Sequence, residues 1–304
     1  MPQVLLTGLA SGAIYGIIAL AYSSVYYVTR VINFATGQLL MSSIMVTAVL
    51  SMHRTSVWLA IIIGITTSTI GGVVVYFIAV RPVLRFSRFS FAWLVSTLGA
   101  GIILSSFAAL FWGSGSLPFP ILLNGHDVRV IAGAQLTWQQ IMTVFVAIFL
   151  LVAFEIFRKR TLFGKLGMAI SYDPEIASSI GANVTSYAIL AFALGGLLVG
   201  VAGILVGPIS FADAYMGDSY GIFGFVALMI GGIDKPAGAM GGGFILGILQ
   251  SFAVTYINSQ ASDWFPFIVV VVVLLIAPNG IFMSGPSIKK RIKRLSQRKD
   301  LAKL

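Results

Sequence analysis

The residues with the clearest chemical pattern in this chain form one short run: Asp173, Pro174, Glu175, Ala177 and Gly181. Asp is a favoured N-cap because its carboxylate accepts the unpaired backbone N–H groups of a first helical turn. Pro suits the first helical position, and Glu places negative charge where the helix dipole favours it. Gly is a common helix stop. The run therefore predicts a delimited helix of about two turns.

So short a helix is unstable alone in water, so it must pack against other protein. Ile176 and Ile180 lie four residues apart and would share one side of it. Two alternatives follow from the residues: the helix lies on the surface of its own protein, or it docks a separate partner.

The sequence offers little material for catalysis. It has no cysteine, which excludes disulfides, thiolate zinc sites and cysteine nucleophiles. We find no cluster of His, Asp and Glu suited to a metal or to acid–base chemistry. No Gly-x-x-x-x-Gly-Lys-Ser/Thr stretch occurs, and Gly241, Gly242 and Gly243 lack the Lys that a phosphate loop requires. We expect no catalytic residue, metal or cofactor, and interpret these glycines as helix-packing residues.

Composition indicates that most of the chain is embedded in a lipid membrane. Apolar residues make up 58% and charged residues 9% of it, against roughly 25% charged residues in soluble domains. The net charge of +10 comes from short basic clusters beside apolar segments, including Arg158–Arg160 and the last residues of the chain. That placement indicates membrane topology rather than nucleic-acid binding.

The elements that must position these residues are predicted to be membrane-spanning helices. A span needs about 20 apolar residues. The sequence offers nine candidates: 4–28, 32–52, 57–80, 89–112, 137–157, 186–206, 219–233, 237–257 and 264–283. We expect an all-α polytopic bundle of about 8–10 spans. The seventh candidate is short, and the crossings around 207–240 stay open because a broken or re-entrant segment would also fit.

Charge gives the bundle a predicted orientation. With nine crossings, the N-terminus lies outside and every Lys and Arg except Arg54 and Arg129 lies on the cytoplasmic side. Asp213 and Asp218 then fall outside. We expect a transmembrane domain over residues 1–285 and a basic cytoplasmic tail over 286–304. The first apolar segment lacks the basic start and cleavage site of a signal peptide, so we interpret it as a retained span.

Two connections are long. Residues 113–136 read as an outer loop, and the inner connection from 158 to about 185 carries the predicted short helix. Glu155 precedes Arg158 by one helical turn, which favours a position at the membrane interface. Gly196, Gly200 and Gly203 are spaced to lie near one helical face, where another helix can approach closely.

Polar residues within the spans are few. Asn33 stands in an otherwise apolar turn, followed by Gly37, and together they are the candidate residues of a path through the membrane. Local capping of the following helix is an equally good interpretation of Asn33. Tyr15 and Tyr22 are expected to serve as packing or interface aromatics. Since ionisable residues are almost absent at depth, transport coupled to protons or sodium ions is a weaker hypothesis than transport powered by a partner.

Three separated stretches resemble the membrane subunits of ATP-binding cassette importers for branched-chain amino acids. The first runs from Gly8-x-x-x-Gly12-x-x-Tyr15 to Ile32-Asn33-Phe34-Ala35-Thr36-Gly37. The second is the inner run from Asp173 to Gly181. The third comprises Gly231-Gly232, Gly238-Ala239-x-Gly241-Gly242 and Pro278-Asn279-Gly280-Ile281-Phe282. The chain departs from the family's usual pattern at Thr36, Asp234-Lys235-Pro236 and Ala277.

The resemblance implies a non-enzymatic permease of the bacterial inner membrane. Its implied partners are cytoplasmic ATPase subunits, a second permease that is the same or a different chain, and a periplasmic or extracellular substrate-binding protein. The residues implied to couple this chain to the ATPase are Asp173, Pro174, Glu175, Ala177 and Gly181. Branched-chain amino acids are the implied substrates, with urea, short amides and other small solutes as alternatives. A stand-alone channel is the rival hypothesis, and a membrane-embedded enzyme a distant third.

Overall fold

The computed structural model describes residues 1–86, 91–120, 128–131, 133–179, 181–278 and 280–282. The predicted tail at 286–304, Ile180 and Asn279 lie outside these residues. Twelve α-helices are described: α1 Pro2–Thr29, α2 Thr36–Met52, α3 Val57–Val75, α4 Arg81–Phe86, α5 Ala92–Trp112, α6 Trp138–Arg160, α7 Leu162–Tyr172, α8 Pro174–Ser179, α9 Val184–Val206, α10 Met216–Gly231, α11 Pro236–Tyr256 and α12 Ala261–Ile276. A π-helical segment, Tyr76–Val80, joins α3 to α4, and two strands, β1 Val128–Ile131 and β2 Ala134–Thr137, precede α6.

Each of the nine predicted spans falls on an apolar helix, which confirms the helical membrane bundle. Six helices among the described residues are long and apolar enough to cross a membrane, with α3, the π segment and the start of α4 forming one of them. The other three, α2, α10 and α12, have 17, 16 and 16 residues. At 1.5 Å per residue, each of these three falls short of a hydrocarbon core of about 30 Å.

Helix α1 lies at the centre of the bundle. In its most apolar stretch 72% of the residues are buried, against 22% in α5 and 11% in α6. Tyr15 packs its ring against Phe223 at a centroid distance of 5.2 Å, and Tyr22 packs against Phe225 at 6.3 Å. The predicted packing role of both tyrosines is therefore confirmed. The hydroxyl of Tyr22 also donates a hydrogen bond to the Gly221 carbonyl at 3.2 Å.

Glycines bring α1 and α11 into backbone contact. A Cβ atom added to Gly12 would lie 2.7 Å from the carbonyl oxygen of Gly243, and one added to Gly247 would lie 2.3 Å from the Cα atom of Gly12. Small residues four apart allow this approach, and close packing supplies the attraction that lipid cannot. The glycine run at 241–243 thus serves helix packing, as predicted.

The predicted glycine face of α9 contacts two helices rather than one. Gly196 and Gly200 lie against Ser68 of α3, whose hydroxyl donates to the Gly196 carbonyl at 2.8 Å. Ser43 of α2 donates to the Gly200 carbonyl at 2.9 Å. Gly203 also meets the backbone of α2. Hydrogen bonds between small polar side chains and backbone carbonyls therefore reinforce the close approach.

The connection before α6, predicted to lie outside, contains structure that was not predicted from the sequence. Residues 113–136 were expected to form a loop, but β1 and β2 pair as an antiparallel hairpin, with Val128 opposite Thr137. Gly133 adopts φ +80° in the turn, a conformation that glycine allows. Gln3 exchanges two hydrogen bonds with the backbone of Gln135, at 2.8 and 2.7 Å. The start of α1 thereby holds the hairpin.

Candidate functional site

The predicted short helix is present as α8. The Asp173 carboxylate accepts a hydrogen bond from the Ile176 N–H at 3.0 Å, which is the expected N-cap. Gly181 has φ +90° and donates its N–H to the Ser178 carbonyl at 3.0 Å. Ala182 donates to the Ala177 carbonyl at 3.0 Å, which completes a Schellman ending. Pro174 and Glu175 occupy the first turn. Both predicted ends of the helix are therefore confirmed.

The side chains of α8 divide between an inner and an outer face. Ala177 is 1% exposed, so it fastens the helix to the rest of the chain. Ile176 is 64% exposed, next to Tyr172 at 87%. An apolar side chain left open on a segment between spans is available to a protein partner. The structure thus contains features of both alternatives, since α8 packs on its own chain and also presents an apolar residue.

A second helix, α7, precedes α8 where the sequence analysis expected only connection. Thr161 ends α6 and caps α7, its hydroxyl accepting from the Gly164 N–H at 3.0 Å. A Cβ atom at Gly164 would lie 2.2 Å from the Arg158 carbonyl oxygen, so the corner requires glycine. Gly164 and Gly167 lower helix propensity, which concealed the helix. Packing of Ile170, which is fully buried, overrides that propensity.

Arg30 joins this segment to the bundle. It ends α1 with φ 57°, and its guanidinium donates to the Ser171 carbonyl of α7 at 3.0 and 3.3 Å. The same guanidinium forms an ion pair with Asp234 in the turn between α10 and α11. Asp234 is one of the departures from the family pattern, and here it pairs with Arg30. Three elements that are distant in sequence therefore meet at one cation.

The third family-like stretch folds into a single corner. Ile281 donates its N–H to the Ile230 carbonyl at 2.8 Å, and Lys235 Nζ donates to the Phe282 carbonyl at 3.0 Å. A Cβ atom at Gly280, which has φ +86°, would lie 2.5 Å from the Cα atom of Gly232. The chain after the last span thus closes the turn that carries Asp234.

The two predicted path residues lie where α2 begins. Asn33 is 2% exposed, and its side-chain oxygen accepts from the Ala35 N–H at 3.1 Å, so that oxygen serves the turn before α2. Gly37 has a steric function, because a Cβ atom there would lie 2.0 Å from the Gly217 carbonyl oxygen. Gly37 thereby lets the starts of α2 and α10 come into backbone contact.

Beside them lies a polar pair that the sequence analysis missed. Gln38 is 7% exposed, and its Nε2 group donates a hydrogen bond to the carboxylate of Asp218. A Cβ atom on Gly101 would lie 2.9 Å from Gln38 Oε1. Gly101 is about 14 Å from the start of α5 and about 16 Å from its end, at 1.5 Å per residue. The pair therefore lies at the middle of a membrane-crossing helix.

The predicted outer position of Asp218 is accordingly wrong. The hydropathy of the sequence predicts a seventh span that starts at residue 219, whereas α10 begins at Met216 and contains Asp218 in its first turn. A carboxylate at the first turn of a helix reads equally well as a cap at the membrane surface. Only the contact with Gln38 shows its depth. The signal available beforehand was the position of Gln38, a polar residue directly after Gly37 within an apolar span.

Comparisons with known proteins agree along nearly the whole chain. Residues 4–277 match the family model described as "Branched-chain amino acid transport system / permease component". The high-affinity branched-chain amino acid transport system permease protein LivH of Escherichia coli K12 is 30% identical over 301 residues, covering 95% of this chain and 97% of that protein. BraD of Pseudomonas aeruginosa, described in the same words, is 29% identical over the same shares. A probable LivH of Methanocaldococcus jannaschii is 27% identical over 92% and 90% of the two chains.

Proposed function

The chain belongs to the permease family of branched-chain amino acid transport systems, and from that premise we propose that it carries branched-chain or closely related amino acids across the bacterial inner membrane. It is a multi-pass transport subunit of an ATP-binding cassette importer, not an enzyme, and ATP is hydrolysed by separate subunits. The family match over residues 4–277 is the observation that carries this function. The full-length similarity to relatives described as high-affinity permeases supports the substrate class.

We propose that the ATPase docks on the exposed face of α7 and α8, on the cytoplasmic side of the membrane. Asp173 and Gly181 fix the ends of α8, Ala177 holds it to the chain, and Ile176 points away. Movement of the ATPase would be transmitted through Ser171 and Arg30 to the turn that contains Asp234. A second permease would complete the path, a periplasmic substrate-binding protein would deliver the solute, and the N-terminus would lie outside.

Reconstitution tests the function directly. Proteoliposomes that contain the complete complex, with an amino-acid-loaded binding protein outside and ATP inside, should accumulate radiolabelled leucine. The matched control contains the complex with its ATPase inactivated and should accumulate none. Equal leucine flux through liposomes containing only this chain would instead establish a stand-alone channel. Accumulation of urea but not leucine would refute the proposed substrate class.

The docking surface requires a variant that spares the fold. Replacing Ala177 by a bulky residue would displace α8 from its own chain, because Ala177 is 1% exposed. Ile176→Glu changes an exposed side chain instead, so we expect normal membrane insertion with at least a ten-fold loss of substrate-stimulated ATP hydrolysis. Ile176→Val is the matched control and should retain activity. Unchanged stimulated hydrolysis in Ile176→Glu would refute docking at this face.

A further inference from the structure

The pair formed by Gln38 and Asp218 has a chemistry that the packing of the bundle does not use. Both residues stand in the first turns of helices that begin inside the bundle, α2 and α10. Gly37 and Gly217 bring these two starts into backbone contact. Helices that begin within the membrane commonly frame transport sites, because their ends bring polar groups to the midplane.

The hydrogen bond fixes the orientation of the Gln38 amide. A carboxylate accepts hydrogen bonds, so the NH₂ group of Gln38 must face Asp218 and its oxygen must face away. That oxygen is buried and accepts no hydrogen bond from the described residues. Because this oxygen lies against the Gly101 position of α5, the NH₂ group is the part of Gln38 that reaches Asp218, and it holds the carboxylate in place.

Asp218 also lacks a cationic partner within the described part of the chain. None of the ion pairs there includes it, and its side chain is exposed on the surface of the chain. At the depth of Gly101, an uncovered carboxylate cannot face hydrocarbon without a large cost, so this side of α10 must face water or another subunit. Carboxylates in such positions typically mark the pathway of a transported solute.

We propose that the Asp218 carboxylate, positioned by the Gln38 amide, forms a subsite for the α-ammonium group of the transported amino acid. An ammonium group carries three donors and a positive charge, and the exposed Asp218 carboxylate supplies acceptor oxygens and a negative charge. The subsite rests on the proposed function and extends it, since it selects amino acids over neutral solutes such as urea.

The first test measures transport by the reconstituted complex at saturating leucine-loaded binding protein. Asp218→Asn keeps the shape of the side chain and removes its charge, and we expect uptake to fall at least ten-fold while the ATPase remains active. Gln38→Leu removes the amide and should also reduce uptake. Asp263→Asn is the matched control, since Asp263 is likewise an acidic residue in the first turn of a helix, α12. It should transport normally.

The second test separates ligand recognition from assembly. Radiolabelled leucine bound to the complex in nanodiscs should be displaced by 3-methylbutylamine, which keeps the ammonium, far better than by 4-methylpentanoate, which keeps only the carboxylate. Asp218→Asn should lose leucine binding, whereas its complex should keep the size of the unchanged one on gel filtration. Better displacement by the acid, or a complex that dissociates in Asp218→Asn, would overturn the subsite and indicate a subunit contact.

The two proposals fail in distinguishable ways. If the unchanged complex takes up no leucine with ATP, the proposed function is wrong. If it takes up leucine and Asp218→Asn transports at the same rate, only the subsite is wrong. Uptake without detectable leucine binding by the unchanged complex would likewise count against the subsite.

Discussion

At the scale of single residues, the glycines show how much of this fold depends on missing side chains. At Gly37, the backbone of Gly217 occupies the space that a Cβ atom would take. At Gly99, no atom lies within 4 Å of the corresponding Cβ position. Both are glycines in apolar helices, Gly37 in the first turn of α2 and Gly99 inside α5. The difference is whether a second helix passes at that point, which the sequence around each residue does not state.

Substitution by alanine should separate these two positions. Gly37→Ala should destabilise the protein by about 1–3 kcal/mol, because the new methyl group overlaps backbone that cannot move away. Gly99→Ala should be neutral or stabilise by up to about 1 kcal/mol, because alanine favours the helix. Thermal unfolding in detergent, followed by the monodisperse fraction on gel filtration, measures both. Equal unfolding midpoints would contradict the close contact of α2 with α10.

At the scale of elements, α8 is defined by its ends rather than by its interior. The helix between the Asp173 cap and the Gly181 stop has six residues, too few to form a helix through propensity. Gly181 adopts φ +90° with no atom near its Cβ position, so its constraint is conformational and not steric. The helix therefore depends on a backbone conformation that side chains disfavour.

Gly181→Val should loosen α8 without disturbing the spans. A β-branched residue at positive φ costs roughly 1–2 kcal/mol. We expect faster proteolysis within residues 173–183, a partial loss of stimulated ATP hydrolysis and unchanged membrane insertion. Gly181→Asn is the control, since asparagine tolerates positive φ better. Limited proteolysis with mass spectrometry would measure the effect, and identical cleavage rates in all three proteins would argue against the stop.

At the scale of the whole molecule, orientation connects the sites to their compartments. The Arg30–Asp234 pair, α7 and α8 lie at one end of α1, and the hairpin held by Gln3 lies at the other. If basic residues mark the cytoplasm, the coupling segment faces the ATPase and the hairpin faces the binding protein. The whole arrangement thus predicts one sidedness.

The absence of cysteine allows a clean measurement of that sidedness. Ser116→Cys and Ser179→Cys each introduce a single thiol at an exposed position, before the hairpin and in α8 respectively. A membrane-impermeant maleimide added to cells with a permeable outer envelope should label Ser116→Cys, and should label Ser179→Cys only after the inner membrane is opened. The reverse pattern would place the N-terminus inside.

The sequence alone determined the membrane class, the nine apolar segments and both ends of α8. Each of these follows from a short stretch of sequence: the length of an apolar segment, an Asp followed by Pro and Glu, and a glycine at the helix end. Helix propensity does not predict α7, because two glycines lower the propensity and buried packing compensates for them. The hairpin of β1 and β2 also went unpredicted, although Gly133 in its turn adopts positive φ.

Only the tertiary structure decided the depth of Asp218 and its pairing with Gln38, which are 180 residues apart in the sequence. A span boundary read from hydropathy does not show where a helix begins between its neighbours. That depth follows from the backbone contacts of Gly37 with Gly217 and of Gln38 with Gly101, which form only when the bundle is assembled. At the membrane surface, a carboxylate in this position would be an ordinary helix cap. At the centre of the membrane it is a candidate ligand for an ammonium group, because the cost of an unpaired charge rises with depth.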